Sequence, residues 1–521
     1  MSRKAQIQAI LDTSLKGARF ASSQAQVLEV KTTATPTDET LTYTGGIYLF
    51  GYEMKLSTTF KSSNDKLVSL KATLDGDSPA STAVRLIEEF IGGDEGIAAG
   101  YKLRDYFPKS LPIEAGFSFK EMTLGFEEAG EQLLLKSIHF KLGTFSSWKI
   151  LDTAKFDLDE VNIELENKDI KAGFPNTSLA LEAKASFGKN TAGDTVKATL
   201  KAQALLSSKE AIASSLVLRG QVENLHIDVV GLLDLIFEEK ELQQFRALCP
   251  TEFQRMTFDN YQVIFQPFGK EFRVVQDTSL GGLEVVLKPT ELAIQATAHE
   301  ENTEGQEDPQ EIELREKAKR QRNILIALTP PQNDSSSFFG DIGRQGEEAG
   351  PLAELDKLDL YGTGLIFSTF DDYTEVNLAS LQNYKEDEGE DAKFKVRGGL
   401  QLFARIKLRG PSEEHQVDDG PKDEKILRSI LDIEDQSTRF SLTGFIAKDL
   451  KTFELALGLN FGDKQVFIVD NGPKDNIRLK AIEVAFILEL LIAKFRFGAV
   501  MDAQIQSDVL RFIASMEVGA M

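Results

Sequence analysis

A single cysteine, Cys249, is the only thiol in this chain of 521 residues. One thiol cannot form an internal disulfide, whereas large extracellular β-rich proteins commonly contain several. The opening residues Met1–Gln6 also lack the apolar core of a secretory signal peptide. We therefore expect a cytoplasmic protein in a reducing environment, with a non-classical export route left open.

Tryptophan and tyrosine are scarce, with 1 Trp and 9 Tyr against 35 Phe. Carbohydrate platforms and antibody-like binding surfaces favour Tyr and Trp, because those side chains combine an apolar body with a polar group. The aromatic content is therefore typical of apolar packing, and it disfavours both of those binding classes.

Positive charge is also in short supply, since 59 Lys and Arg face 82 Asp and Glu, a formal charge of −23. Such a chain repels nucleic-acid phosphates and anionic lipid surfaces unless its basic residues are segregated. The one dense basic run, Arg315–Arg322, lies beside an acidic segment. Nucleic acid is therefore not an expected partner.

Long uninterrupted apolar runs are missing as well. The most apolar window, residues 481–500, contains Glu483, Glu489, Lys494 and Arg496. Four charges are too many for a membrane-spanning helix, so no transmembrane segment is predicted. We interpret the window as buried strands joined by a turn.

Motifs that identify a cofactor or a common catalytic site do not occur. The sequence has neither a Gly-rich loop ending in Lys-Ser/Thr nor a Gly-x-Ser-x-Gly elbow. Gly362-Thr363-Gly364 lacks the third glycine and the flanking helix that a dinucleotide-binding loop needs. The sequence therefore predicts no cofactor.

Histidine is rare, and none of the four residues has a neighbour at metal-ligand spacing, so no metal site is predicted. His139 and His226 fall in strand-like segments, where a structural role is expected. His299 and His415 fall in acidic segments, where we expect them to be solvated.

Nucleophiles and carboxylate pairs give no clear catalytic signal. Cys249 has no identifiable base nearby, and we expect a buried spectator. The pairs Asp157/Asp159 and Asp371/Asp372 are unremarkable among 82 acidic residues, so neither is nominated for acid–base work or calcium binding. Catalytic residues stay unknown, and a site that folding assembles from distant histidines, Cys249 or carboxylates remains open.

What the sequence does contain is alternation of apolar and polar residues through most of its length. Segments 154–165, 179–187 and 196–206 have the pattern of an antiparallel meander with one solvated face. Ile7, Ile10 and Leu11 predict a short amphipathic helix before the first strand. We predict a mainly β protein of antiparallel sheets with short packed or capping helices; the alternative is a set of α+β domains.

A recurring order of strand, short helix, Pro-marked break and Phe-rich hairpin indicates duplicated β-units. It occurs at about 67–142 and again at 216–287, where Leu216–Val222 is the strand and Gly231–Phe237 the helix. We predict that the region 1–298 holds two related units. The alternative, coincidence within any β-rich chain, stays open.

Residues 299–351 interrupt the alternation with charged and loop-forming sequence. Such a composition buries too little apolar area to offset an ordering entropy of about 1 to 2 kcal/mol per residue. We predict a charged flexible insertion or linker over 299–351. The β-rich region 352–521 that follows is either separate from the first region or continuous with it.

The chain ends at Met521 within strand-like sequence. Natural β-proteins usually avoid an exposed strand edge. We therefore expect either the first part of a longer polypeptide or a subunit whose strand edges pair with a protein partner or with a second copy.

The unit of strand, apolar helix, Pro-marked break and Phe-rich hairpin resembles large, repetitive, β-rich bacterial and fungal proteins of an uncharacterised family. The residues that carry this resemblance are Leu216–Phe237 with Phe258–Phe265, and their counterparts at 67–91 and 117–126. It is a resemblance of pattern over about half of the chain, and it implies no activity or catalytic residues.

These observations favour a non-enzymatic structural or protein-interaction scaffold, as part of a larger assembly. The first alternative is a carrier that binds a lipid or other apolar ligand in a Phe-lined groove. The second is a hydrolase whose carboxylates are brought together by folding. Whether the protein is an enzyme stays uncertain, and the sequence leans against it.

Overall fold

The structure is a computed structural model. Strand accounts for 70% and helix for 15% of the residues that it describes, so the predicted mainly β fold class is confirmed. The described residues are 2–17, 25–36, 40–49, 52–73, 117–129, 132–144, 147–149, 157–169, 176–189, 195–207, 209–237, 239–269, 271–278, 281–291, 293–295, 322–330, 359–379, 381, 394–407, 439–460, 466–470, 475–489, 492–505 and 508–519.

The described part of residues 2–225 consists mostly of strands of ten or more residues. Its elements include α1 (Arg3–Gly17), β1 (Ala25–Pro36), β2 (Thr40–Leu49), β3 (Tyr52–Lys61), β4 (Leu67–Thr73), β5 (Phe117–Ala129), β6 (Gln132–Thr144), β7 (Trp148–Lys149), β8 (Asp157–Asn167), β9 (Thr177–Lys189), β10 (Thr195–Leu205), α2 (Lys209–Ser215) and β11 (Leu218–Val222).

Three short helices and a second series of strands follow. The elements include β12 (Ile227–Asp228), α3 (Val229–Ile236), α4 (Glu239–Leu248), α5 (Thr251–Gln254), β13 (Thr257–Phe258), β14 (Tyr261–Gln266), β15 (Glu271–Thr278), β16 (Gly281–Pro289), β17 (Arg322–Thr329), β18 (Asp359–Ser368), β19 (Asp372–Thr374), β20 (Phe394–Val396), β21 (Gly399–Lys407), β22 (Arg439–Ala447), β23 (Thr452–Asn460), β24 (Val466–Asp470), β25 (Asp475–Glu489), β26 (Ile492–Ile505) and β27 (Asp508–Gly519).

The chain divides into two compact units. Unit 1 comprises Met1–Leu225 and Gln262–Phe272, and unit 2 comprises His226–Tyr261 and Arg273–Met521. The domain boundary expected within 299–351 stays a prediction.

Unit 1 is an antiparallel meander in which strands pair in chain order. The ladder runs β1, β2, β3, β4, β5, β6, β8, β9, β10 and β11, with β7 beside β8. The meander predicted for residues 154–206 is therefore present as β8, β9 and β10.

The two faces of this meander differ in chemistry. On one face Met122, Phe140 and Leu165 lie opposite one another on successive strands and are buried. On the other face Lys141 lies opposite Glu164, and their Nζ and Oε1 atoms are 2.6 Å apart. Exposed cross-strand ion pairs of this kind contribute only a few tenths of a kcal/mol each, about 0.2 to 1. Burial of the apolar face therefore dominates the stability of unit 1.

Helix α1 packs on that apolar face, where Ile7 and Leu11 are fully buried, as the predicted amphipathic helix requires. It contacts both β1 and β6. These strands are five pairings apart in the ladder, so α1 joins strands that are distant from one another in the pairing order.

Unit 2 is built on a second antiparallel ladder. Its order is β16, β17, β18, β21, β22, β23, β25, β26 and β27, with β24 beside β25. Two small hairpin-like pairs, β12 with β13 and β19 with β20, lie outside this ladder.

Strand β17 corrects part of the sequence analysis, which placed residues 322–329 inside a flexible insertion. The strand pairs with β16 on one side and β18 on the other, and Ile324–Leu328 is buried. A continuous apolar run of this length is typical of a strand covered on both faces. Residues 299–321 and 331–351 lie outside the described residues, so the expectation for them is unchanged.

Both faces of the central strands of unit 2 are covered, because successive residues of a strand point to opposite sides. Phe367 of β18 contacts Phe245 of α4, with ring centroids 5.5 Å apart. The preceding residue, Ile366, belongs to a buried cluster with Val376 and Phe394 on the opposite side. Helices therefore cover one face, and the segment around β19 and β20 covers the other.

The helix predicted at Gly231–Phe237 is present as α3. Asp228 caps its N-terminus, where the Gly231 N–H donates to Asp228 Oδ1 at 2.6 Å. The counterpart helix expected near residues 81–91 lies outside the described residues. The duplication of the two units therefore stays a prediction.

A buried carboxylate ties the covering segment to the sheet of unit 2. Glu284 of β16 is fully buried and accepts hydrogen bonds from Arg273 Nη1 at 2.9 Å and from Asn377 N and Nδ2 at 2.6 and 2.9 Å. An ionised group at such a position is tolerated only when it is paired and hydrogen-bonded.

We expect Glu284→Ala to lower the free energy of unfolding of the full chain by about 3–5 kcal/mol, because it leaves the Arg273 guanidinium without its buried partner. Denaturant titration measures this loss, and hydrogen exchange at the Asn377 amide should accelerate. Glu375→Ala is the matched control, since Glu375 is an exposed carboxylate of the same segment. Equal effects of the two substitutions would contradict the tethering role of Glu284.

Candidate functional site

A large apolar surface lies on one side of strands β23, β25, β26 and β27 in unit 2. Eleven of its large side chains, on β23, β25, β26 and the middle and end of β27, are between 36% and 59% exposed, unlike the buried face of unit 1. We call this surface the apolar face. Its exposed members are Phe453, Leu455, Leu457, Ile482, Val484, Phe495, Phe497, Leu510, Phe512, Met516 and Val518.

The register of the strands places these side chains side by side. Leu455 lies opposite Phe486, Phe486 opposite Phe495, and Phe495 opposite Val518, so one row crosses all four strands. The Phe486 and Phe495 ring centroids are 5.4 Å apart. The next row, from Leu457 through Phe497, is equally apolar.

The exposed area of the apolar face is too large to be incidental. Large side chains present roughly 150–250 Å² when fully exposed, so eleven that are about half exposed present on the order of 800 Å² or more. The largest apolar patch of a typical monomer is about 300–600 Å², and larger patches mark interaction sites.

The apolar face corrects the interpretation of residues 481–500 as buried. The strands are present, but Val484 and Phe497 face outward while Glu483 and Arg496 lie on the opposite side. Alternation of apolar and charged residues specifies two chemically different faces, and it does not specify which one is covered. Among the described residues none covers the apolar face.

The opposite side of the same strands carries a chain of ion pairs. The Glu454 side chain is 11% exposed, and its Oε2 and Oε1 atoms lie 2.7 Å from Arg397 Nη1 and 2.5 Å from Arg496 Nη2. Arg496 Nη2 also lies 3.1 Å from Glu483 Oε1. One buried carboxylate therefore holds two guanidinium groups in a fixed relation.

Burial disfavours the ionised form of Glu454, but hydrogen bonding to Arg397 and the charges of Arg397 and Arg496 outweigh it, so the pKa of Glu454 lies below its ordinary value. Burial likewise opposes the charge of Arg496, yet Glu454 and Glu483 raise the pKa of its guanidinium. Glu454 and Arg496 are therefore both charged at neutral pH.

These ion pairs line a cleft of about 850 Å³, which we call the charged cleft. The Arg397 guanidinium lies over the Phe445 ring, 3.5 Å from its centroid. Gly399, beside the cleft, has φ +141°, and a Cβ there would collide with the Ile446 carbonyl oxygen, so the entry into β21 requires glycine. The lining residues are Asp371, Asp372, Phe394, Lys395, Val396, Arg397, Gln401, Phe403, Thr443, Gly444, Phe445, Glu454, Glu483 and Arg496.

Folding brings the carboxylate pair Asp371/Asp372 into this cleft together with Glu454 and Glu483. Asp371 Oδ1 accepts from the Gly398 N–H at 2.9 Å, and Asp372 lies 3.2 Å from the Lys288 ammonium. A carboxyl group with a lowered pKa, such as Glu454, is a poor proton donor at neutral pH. The arrangement is suited to holding charges in place rather than to acid–base chemistry.

Two of the four histidines, His139 and His226, belong to the described residues, and each lies beside a carboxylate. His139 lies on the solvated face of unit 1, with Nε2 3.5 Å from Glu164 Oε2. His226 is in unit 2, and its Nδ1 lies 2.6 Å from Asp259 Oδ1, with both side chains more than half exposed. His299 and His415 lie outside the described residues.

The remaining sequence candidates have structural positions. Cys249 is buried between α4 and α5. Asp157 and Asp159 belong to β8, and Gly362–Gly364 lies inside β18, without the helix that a dinucleotide-binding loop needs. The described residues contain no group of three or more His, Cys, Asp or Glu placed to hold a metal ion.

Sequence reasoning missed Arg397, Glu454 and Arg496 as a group. A signal was present for two of them, since Glu454 follows Phe453 and Arg496 lies between Phe495 and Phe497, where a charge interrupts an apolar strand. Their meeting depends on strand pairing across 42 and 57 residues, which a local pattern does not reveal.

Comparison of the chain with protein-family models, with curated proteins and with solved structures gives no match. Separately, none of the described helices has the length and hydropathy needed to cross a lipid bilayer. The apolar face and the ion pairs on the opposite side of the same strands are the features of unit 2 that bear on function.

We expect the Glu454 network to make stability depend on pH. Because the native pKa of Glu454 is lower than its ordinary value of 4.5, its contribution is fully present above that value and is lost as the pH falls through the native pKa. The difference in unfolding free energy between wild type and Glu454→Gln should therefore shrink as the pH is lowered.

Denaturant unfolding at a series of pH values tests this expectation. In Glu375→Gln, the control, an exposed carboxylate is neutralised, and its difference from wild type should stay small throughout. If the difference in unfolding free energy between wild type and Glu454→Gln stayed constant through the acidic range, the lowered pKa of Glu454 would be contradicted.

Proposed function

We propose that this protein is a non-enzymatic carrier that binds the hydrocarbon chains of a lipid on the apolar face. The observation that supports the proposal is the continuous exposed apolar surface of β23, β25, β26 and β27. Apolar surface left in water at this scale costs free energy that a hydrocarbon partner recovers.

The chemistry of the apolar face favours hydrocarbon over a protein partner. Protein interfaces carry about one hydrogen bond per 100–200 Å², and Tyr, Trp and Arg are enriched in them along with Phe and Met. The exposed members of this face are Phe, Leu, Ile, Val and Met, and the strand backbones are paired with one another. A partner that needs no hydrogen bonds therefore fits best.

The expected free energy of binding favours a lipid with two hydrocarbon chains. A methylene group transferred fully out of water gains about 0.8 kcal/mol, so contact on one side gains roughly half of that. About ten methylenes then give roughly 4 kcal/mol, a millimolar dissociation constant, whereas two such chains give roughly 8 kcal/mol and micromolar binding.

We further propose that the protein works in a reducing, cytoplasmic environment. The only cysteine of the sequence is buried, which is consistent with a fold that uses no disulfide. The enzyme alternative receives less support, because the carboxylates assembled in the charged cleft are engaged by cations and by a backbone N–H.

Lipid extraction and native mass spectrometry of the purified chain test the carrier proposal. We expect co-purifying lipid in near-stoichiometric amount, and Phe512→Asp should reduce it severalfold by placing a charge within the apolar face. Ile513→Asp is the matched control, because Ile513 is the next residue of β27, points to the opposite side and is 78% exposed.

A different result would assign another partner to the apolar face. Absence of lipid, together with a stable dimer that Phe512→Asp dissociates and Ile513→Asp does not, would assign the apolar face to self-association. That outcome would replace the carrier with the scaffold expected from the sequence.

A further inference from the structure

The charged cleft lies on the opposite side of the sheet from the apolar face. Its volume of about 850 Å³ falls within the range of about 300–1,000 Å³ that is usual for small-molecule sites. It contains charged groups that are held in position before any ligand arrives.

The two guanidinium groups keep unused hydrogen-bond donors. A guanidinium has five N–H groups. Within the described residues Arg397 donates through Nη1 and Arg496 through Nη2, and neither Nε atom has an acceptor there. The side chains of Arg397 and Arg496 line the cleft and remain 36% and 33% exposed.

The arrangement also limits the mobility of both groups. Glu454 bridges them, and the Phe445 ring packs against the flat side of the Arg397 guanidinium. Arginine is suited to binding carboxylate and phosphate groups because its planar fork matches their oxygen atoms. Positioning by Glu454 reduces the ordering cost of such binding.

Four carboxylates, those of Asp371, Asp372, Glu454 and Glu483, and three cations, those of Lys395, Arg397 and Arg496, line the cleft. Lys288 pairs with Asp372, both arginines pair with Glu454, and Arg496 also pairs with Glu483. The ammonium group of Lys395 has no carboxylate partner among the described residues, so its charge is available to a ligand.

We propose that the charged cleft binds a small oxyanion ligand, a molecule carrying a carboxylate or phosphate group, through Arg397, Arg496 and Lys395. The oxygen atoms accept hydrogen bonds from the unused guanidinium N–H groups and from the Lys395 ammonium. Glu454 is a positioning residue that holds the two arginines for this contact.

Isothermal titration calorimetry of the full chain at low ionic strength tests the proposal with succinate and with inorganic phosphate as probes. We expect saturable binding of at least one anion and none of succinamide, the neutral counterpart of succinate. Binding of both anions, or of one, supports an oxyanion site and shows which oxyanion geometry it prefers.

Lys395→Gln is the decisive variant, because it removes the charge without breaking a contact between described residues. It should weaken anion binding by about tenfold, the effect of one charge-assisted hydrogen bond. Lys451→Gln, which neutralises an exposed lysine outside the cleft, should bind like wild type. Arg397→Gln should abolish binding, and its thermal unfolding must be compared with wild type because Glu454 loses a partner.

Three results would overturn the proposal: no heat change with either anion, equal affinity for succinamide, or unaltered binding by Lys395→Gln. Phe512→Asp separates this proposal from the carrier, since it changes the apolar face and should leave anion binding intact. Loss of anion binding therefore leaves the lipid-carrier proposal standing, and loss of lipid binding leaves the oxyanion site standing.

Discussion

The alternation of side chains along a β-strand is the constraint on which this molecule depends, because every strand presents two faces and each must be accommodated. In unit 1 one face is apolar and buried while the other carries pairs such as Lys141 with Glu164. The central strands of unit 2 are covered on both sides. Among the described strands of unit 2, those from β23 to β27 leave an apolar face exposed.

Two buried carboxylates hold the less regular parts of unit 2 on its sheet. Glu284 fixes the segment that contains Asn377, and Glu454 fixes Arg397, which follows β20 directly. Both segments contribute to the layer opposite the helices. A buried charge is costly when unpaired, so each carboxylate favours one arrangement of its partners over alternatives. The charged cleft is shaped by this requirement.

The sequence predicted the mainly β fold, the meander over residues 154–206, α1 and α3, because these depend on local periodicity and capping. It misplaced β17, since Ile324–Leu328 is a short apolar run within charged sequence, and the composition of the flanking residues led to its assignment to a flexible insertion. It also took 481–500 as buried, because alternation does not say which face is covered. The charged cleft depends on contacts such as Arg397 with Glu454, which only the strand register brings together.

The formal charge of −23 bears on how copies of this protein meet in solution. Hydrophobic attraction between two apolar faces acts near contact, and sheets pack about 10 Å apart. Electrostatic repulsion at physiological salt extends about 8 Å, a similar distance, so the like charges of two copies oppose their approach until the apolar faces are nearly in contact. The excess of carboxylates thus confers colloidal stability on a chain that exposes Phe497 and Phe512. Concentrated salt screens this repulsion and should therefore promote association of the copies.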